Sequence, residues 1–213
     1  MSSDMDNNIL KAGCIELGLK LTDFQLAQFD TIQNELIKWN KTINLTSITC
    51  KKEIVIKHFL DSLSIHKYIN KQKIADIGTG AGFPSLPLAI IYPHQDFYLI
   101  EKNNKKIIYL QHIRHLLKLK NIHILHDRAE NITGYNFDIV LCRAYDSLVE
   151  FYKLSTVKTY QKSIFLAMKA TNFKRDYAKL LKKCNNTQVF NLIVPFMESP
   201  RFLIQFSDQQ TNE

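Results

Sequence analysis

Apolar positions recur at helical spacing through the first seventy residues and change to short continuous runs from Lys73 onward. Leu26, Phe29, Ile32, Leu36 and Trp39 fall on one side of a helix. Just before them, Thr22 and Gln25 form the S/T-x-x-E/Q pattern, in which side chain and backbone satisfy each other's free groups at a helix start. This predicts one amphipathic helix from about Asp23 to Asn40. NKTINLTSI follows as a polar turn with few apolar anchors. KKEIVIKHFLDSLSIHKYI then returns to helical periodicity with Val55, Phe59, Leu63 and His66 on one side. Residues 1–70 read as an N-terminal helical extension packed as a cap over a sheet. The polar ends, MSSDMDNN and SDQQTNE, read as disordered.

Beyond the extension the pattern alternates. KIADI is a buried-strand run, and SLPLAIIY after it has helix-compatible spacing. DFYLIEK (96–102), NIHILHD, NFDIVLC and SIFLAMKA repeat the strand signature, with a helix in KKIIYLQHIRHLLKL and another over 147–160. In the first of these helices Ile108, Leu110 or Gln111, and Leu117 are expected inside, and Lys105, Lys106, Arg114 and Lys118 outside. NTQVFNLIVPF and RFLIQFS, joined by MESP, read as a terminal hairpin. Five β/α units and a hairpin predict an α/β fold in residues 71–213: a seven-stranded, doubly wound, mostly parallel sheet whose last strand is antiparallel. The two parts are expected to form one compact unit.

The strand KIADI runs into Gly78, Gly80 and Gly82 before the next helix begins. Such a junction presents bare backbone and free N–H groups to a ligand. Dinucleotide folds place a third glycine where this chain has Phe83, and a pyrophosphate needs that close approach. The turn therefore points to an adenosine-bearing ligand without phosphate, S-adenosylmethionine, with a nicotinamide-dependent oxidoreductase as the rival. Glu101 follows at close to the roughly 20-residue spacing at which an acid grips ribose hydroxyls. Its alternative is a strand-end carboxylate paired with Lys105. Arg143 ends the fourth strand, where its donors suit a carboxylate, a phosphate or a guanine edge; the alternative is a structural ion pair. Cys142 beside it has no helping base and reads as an inert buried thiol.

Charge adds a partner class. The formal net charge of +8 favours encounters with polyanions, nucleic acid above all. Four scattered cysteines without a C-x-x-C pair, and histidine pairs His112/His115 and His123/His126 three residues apart, give no metal or disulfide pattern. The histidines are expected at the surface. No run is long enough to cross a bilayer, and no secretory leader opens the sequence, so a cytoplasmic protein is expected.

With these residues assembled, the chain resembles the small-subunit (16S) ribosomal RNA guanine-N7 methyltransferases, the family also called glucose-inhibited division protein B. The resemblance runs through NLTSI (44–48), HFLDSL (58–63), DIGTGAGFPSLPLAI (76–90), DRAE (127–130) and FDIVLCRAYDSL (137–148). It implies a class I S-adenosylmethionine-dependent fold, methyl transfer to one guanine of 16S rRNA, and the rRNA or the 30S subunit as partner, with a monomer that needs no metal. It further implies cofactor contacts at Gly78, Phe83, Ala129, Glu130 and Arg143, with Asp76, Gly80, Gly82 and Glu101 beside them and Arg143 in the catalytic role. The family usually has Gly where Ser85 stands, and Leu-Lys-Gly where this chain has Met168, Lys169 and Ala170. Guanine N7 carries a lone pair, so the chemistry needs no general base. The alternative is a basic RNA-binding or assembly factor whose methyltransferase fold is vestigial.

Overall fold

The computed structural model describes residues 2–145 and 147–207; Met1, Asp146 and residues 208–213 lie outside it, and with them most of the SDQQTNE tail. The other polar end is not an irregular segment. A first helix, α1, covers Ser2–Glu16 and sets Leu10 and Cys14, one turn apart, into the core with Leu17 just beyond its end. Helix α2 covers Asp23–Asn40 as predicted, and both halves of the Thr22/Gln25 capping box form. Gln25 also donates through Nε2 to Ile90 O at 3.0 Å, which ties this helix start to the body of the protein.

Residues 51–63 form α3 (Lys51–Ile54), a π-helical stretch (Val55–Leu60) and α4 (Asp61–Leu63). Only one side was expected inside, yet every residue from Ile54 to His66 except Lys57 is buried. The reason is a second layer. Helix α1 packs on the outside of this segment, so closely that a Cβ on Gly13 would collide with Leu60.

Strands β1 (Lys73–Ile77), β2 (Asp96–Ile100), β3 (Ile122–Leu125), β4 (Ile139–Arg143), β5 (Ile164–Lys169), β6 (Thr187–Leu192) and β7 (Arg201–Phe206) make one sheet in the order 3-2-1-4-5-7-6. β1 to β5 pair in parallel, and β7 runs antiparallel to both β5 and β6. Helices α5 (Ser85–Ile91) and α6 (Asn104–Leu116) follow β1 and β2, while α7 (Leu148–Lys153) and α8 (Lys174–Leu181) follow β4 and β5. One core cluster joins α5 and α6 to the N-terminal helices and to Leu141, Leu166, Met168 and Leu203 of the sheet. The other joins Ala75, Val140 and Phe165 to α7 and α8. The N-terminal segment thus covers sheet surface that α5 and α6 leave open.

Three expectations change. The β3–β4 connection contains no α-helix, only a 3₁₀ turn at Ala129–Asn131. The helix expected over 147–160 stops at Lys153 and continues as two 3₁₀ turns. α6 is rotated from the expected phase: Ile107, Tyr109, Leu110 and Ile113 are buried, and Ile108 is 47% exposed. Asn103 fixes that phase by capping the helix, its side chain accepting from the amides of Lys105 and Lys106.

Candidate functional site

β1 and β4 are neighbours although their connections leave in opposite directions along the sheet, and beyond their carboxyl ends lies the crevice where open α/β sheets bind ligands. The glycine turn sits there, and its glycines do different things. Gly78 and Gly80 have φ of 64° and 62°, and added Cβ atoms would meet no neighbour closer than 3.9 Å. Gly82 has φ of 89°, and a Cβ there would run into Leu86 and crowd Leu110. The first two leave open space, whereas the third lets the turn pack against α5 and α6.

Glu101 is 5% exposed and faces the turn, accepting from Gly80 N at 3.1 Å and from Asn103 N at 2.9 Å. Neither ion pairing with Lys105 nor free solvation describes it. Gly78, Glu101, Ala129 and Glu130 line one cavity of about 270 Å³ together with Lys106, Asp127 and Tyr145. Lys106, expected on an outer face, is half-buried at this wall. Tyr160 Oη donates to Ala129 O at 2.9 Å and fixes the wall's far side. Asp76 lies beneath the turn, fully buried, and accepts from Thr79 Oγ1 at 2.8 Å. Burial pushes its carboxyl up to about 6. Ser85, where the family usually has Gly, is close enough to favour the charged form, although its Oγ and Asp76 Oδ1 have no hydrogen-bond partner.

Arg143 and Phe83 belong to a second place. A cavity of about 340 Å³ is lined by Arg143, His58, Asp61, Arg201, Met168 and Lys169, among others. Ala144 is also in its wall, and the next residue, Tyr145, is in the wall of the first cavity. Ala144 holds φ of 56°, a left-handed conformation that costs a non-glycine residue on the order of 1–3 kcal/mol. The Arg143 guanidinium donates through Nη1 to Lys57 O and to Asp61 Oδ2, both at 3.3 Å, and contacts His58 Nδ1 through Nη2 at 3.2 Å. Arg201 Nε holds the other Asp61 oxygen at 3.2 Å. Phe83 is buried, with the His58 ring stacked on it at 4.6 Å and Arg143 Cζ 5.1 Å from its centroid.

An arginine can only donate, so His58 Nδ1 accepts, and Nε2 carries the proton that it donates to Thr46 Oγ1 at 2.8 Å. Burial, then the Arg143 charge, pushes the imidazole down to about 3. Asn40 folds the NLTSI turn into place, its Oδ1 accepting from Leu45 N at 2.8 Å and Thr46 N at 3.0 Å. The turn that lacked apolar anchors is therefore built on polar ones. Cys142, at the end of this strand, is 1% exposed, and burial raises its thiol. Of the histidines expected at the surface, His112 is half-buried and bonds Glu35 at 2.7 Å, and His123 bonds Asp96 at 2.9 Å. Among the described residues no group of three or more His, Cys, Asp or Glu could hold a metal, and no helix is long and apolar enough to cross a membrane.

The open glycine pair, the buried acid facing it and the cavity between them fit the adenosine and amino-acid parts of S-adenosylmethionine. The solved structure of magnesium protoporphyrin IX methyltransferase from Synechocystis, with bound SAM, matches with a TM-score of 0.57 at 16% identity, covering 88% of this chain and 98% of that one. The METTL16 MTase domain gives a TM-score of 0.57 at 11% identity over 84% of this chain and 96% of that one. At such identities the likeness concerns the fold, which is that of class I methyltransferases. The ribosomal RNA small subunit methyltransferase G of Francisella tularensis is 35% identical over 201 residues, 94% of this chain and 97% of that protein. Its counterpart in Bacillus licheniformis is 36% identical over 213 residues, 93% of this chain and 88% of that protein. Residues 25–204 match the family profile "rRNA small subunit methyltransferase G", and the chain belongs to that family.

Proposed function

We propose that this protein transfers a methyl group from S-adenosylmethionine to N7 of a guanine in 16S rRNA. Family membership carries the coarser statement: it is an S-adenosylmethionine-dependent methyltransferase of small-subunit ribosomal RNA. Bound S-adenosylmethionine supplies an electrophilic methyl group on a sulfonium. Gly78, Glu101, Ala129 and Glu130 bind it in the glycine cavity, with Asp76, Gly80, Gly82 and Phe83 shaping the turn behind. The guanine enters the arginine-lined cavity on the other side of Ala144, where Arg143, backed by the buried Phe83 ring, orients it for in-line attack.

One observation carries the choice of N7. Among the described residues of the second cavity, each acid, imidazole and amine is already engaged by a protein partner. Both Asp61 oxygens are held by guanidiniums, both His58 nitrogens are engaged, and Lys57 and Lys169 are paired with Glu53 and Asp176. An exocyclic amine must lose a proton, but N7 offers a lone pair outright and asks only for positioning. Arg143 has committed donors on both terminal nitrogens, so it serves as a rigid wall that fixes the acceptor.

We also read residues 1–70 as an extension of one compact methyltransferase unit, and the protein as a cytoplasmic monomer that needs no metal. Their shared core cluster supports the first point. The test is methyl transfer to 30S subunits from cells lacking the enzyme, run with a chelator and followed by mapping of N7-methylguanosine. Methylation at an exocyclic amine would overturn the N7 assignment. Tight RNA binding without transfer would favour an assembly factor with a vestigial fold. Binding of NADH but not S-adenosylhomocysteine would defeat the cofactor assignment.

A further inference from the structure

We infer that the outer face of α8 is the track on which the phosphate backbone of the substrate RNA docks beside the reaction site. The inference rests on the rRNA substrate of the family and concerns a surface that the cofactor and base cavities do not use. α8 and the turn after it read KRDYAKLLKK, with Lys174, Arg175, Lys179, Lys182 and Lys183 all exposed. Phe173, Tyr177 and Leu180 face inward and anchor the helix in the second core cluster.

Three features separate this basic run from an ordinary solvated face. Three exposed lysines on other helical segments are paired with an acid of the same segment: Lys38 with Glu35, Lys57 with Glu53, Lys153 with Glu150. α8 has one acid, Asp176, and it is turned inward, accepting from Leu148 N at 2.7 Å and pairing with Lys169 at 3.6 Å. Among the described residues none of the five outer cations forms an ion pair.

The second feature is alignment. At 3.6 residues per turn Arg175, Lys179 and Lys182 fall within about 60° of the helix circumference and span roughly 10 Å, the length of about three phosphates along one strand. The cations of α6 do not line up in this way, since Lys105 and Arg114 project from opposite sides, about 180° apart. Position is the third feature. Lys169 and Ala170 are in the wall of the arginine-lined cavity, and the 3₁₀ turn Thr171–Phe173 leads from them directly into α8. The row therefore begins five residues along the chain from that cavity's wall at Ala170.

Two variants that remove the same charge test the assignment. The first is R175Q/K179Q/K182Q, and the second is K105Q/R114Q/K118Q on α6 and the turn just after it. Affinity for 30S subunits lacking the methyl group is measured across a salt series, with S-adenosylhomocysteine affinity and thermal midpoint as controls. The α8 variant should bind about tenfold more weakly at 0.1 M salt, and its log–log salt slope should fall by roughly 2, at about 0.7 per phosphate contact. In turnover its KM should rise with kcat unchanged. The α6 variant should stay within about twofold of the parent. Equal losses in both variants would assign the effect to net charge, and an unchanged α8 variant would return that face to solvent; either overturns the track. R175K/K179R/K182R keeps the charge and should bind as the parent does, and failure there would indicate a structural role instead. Because binding is read separately from transfer, the result stands apart from the N7 assignment.

Discussion

The two cavities flank the same strand ends and are held by different means. The glycine cavity is made largely of backbone: a turn with two left-handed glycines, and an acid that takes two main-chain amides. The arginine-lined cavity is made of side chains that meet from positions 46, 58, 61, 143 and 201, each satisfied by another. A backbone site is open to a ligand because its groups cost little to leave to water. A charged side-chain site is stable only while complete, because removing one partner leaves another charge buried. Damage to the first should cost binding, and damage to the second should cost the fold.

The strongest contrast lies within the glycine turn itself. Gly82→Val adds a left-handed valine and forces methyl groups into Leu86 and Leu110, which should destabilise the protein by roughly 3 kcal/mol or more. Gly80→Val faces open space and should cost only the backbone strain, about 1–2 kcal/mol. It should fold and lose S-adenosylhomocysteine binding. Denaturant melts and calorimetric titration check the pair. A Gly82→Val protein as stable as Gly80→Val would show that the turn relaxes and that the packing role is misassigned.

How far this division was legible before folding follows from the same physics. KIADIGTGAGFP is local, so the strand, the turn and the capping box of α2 could be read from neighbouring letters. Glu101 could be reached by spacing, but not its partners, since a hydrogen bond from Gly80 N leaves no mark on the sequence. Arg201 carried no signal at all, and HFLDSL, beyond its periodicity and its part in the family resemblance, did not show which side chains it would bring together. The π-helical stretch, with its extra residue per turn, brings His58 and Asp61 of that segment to one guanidinium. α1 did have a signal that polarity masked: Leu10, Cys14 and Leu17 stand at i, i+4 and i+7. The missing helix between β3 and β4 is replaced by an aromatic group in which Phe137 lies 5.2 Å from Tyr98 and 5.7 Å from Tyr160. Contacts of that kind are not periodic, so no pattern announces them.

A second contrast, of comparable size, separates the two acids. Asp61→Ala leaves Arg143 and Arg201 facing each other without a counter-charge and should cost roughly 3–5 kcal/mol. Glu101→Gln keeps one acceptor oxygen and leaves one backbone amide to water in the cavity, so stability should fall by only about 1 kcal/mol while cofactor affinity drops at least tenfold. If Glu101→Gln proves the more destabilising of the two, the contrast between a backbone site and a side-chain site fails.

The smallest effect is a difference of slope with pH. Asp76 is raised from 3.8 to about 6 in the fold, so its contribution is fully present below pH 3.8 and is lost as pH rises through 6. His58 is lowered from 6.5 to about 3, so its contribution is fully present above pH 6.5 and is lost as pH falls through 3. Between about pH 4 and pH 6 the folded protein keeps a proton on Asp76 that the unfolded chain has shed, and lacks one on His58 that the unfolded chain binds. The two slopes oppose each other, each up to about 1.4 kcal/mol per pH unit, and largely cancel. Removing either group should expose the other. Relative to the parent, Asp76→Asn should gain stability as pH rises from 4.5 to 6, and His58→Asn should lose it over the same range. Urea midpoints at four pH values suffice to read the signs. Two variants sloping the same way would mean that the two cavities do not hold these groups in opposite protonation states, the glycine cavity its acid neutral and the arginine-lined cavity its imidazole unprotonated.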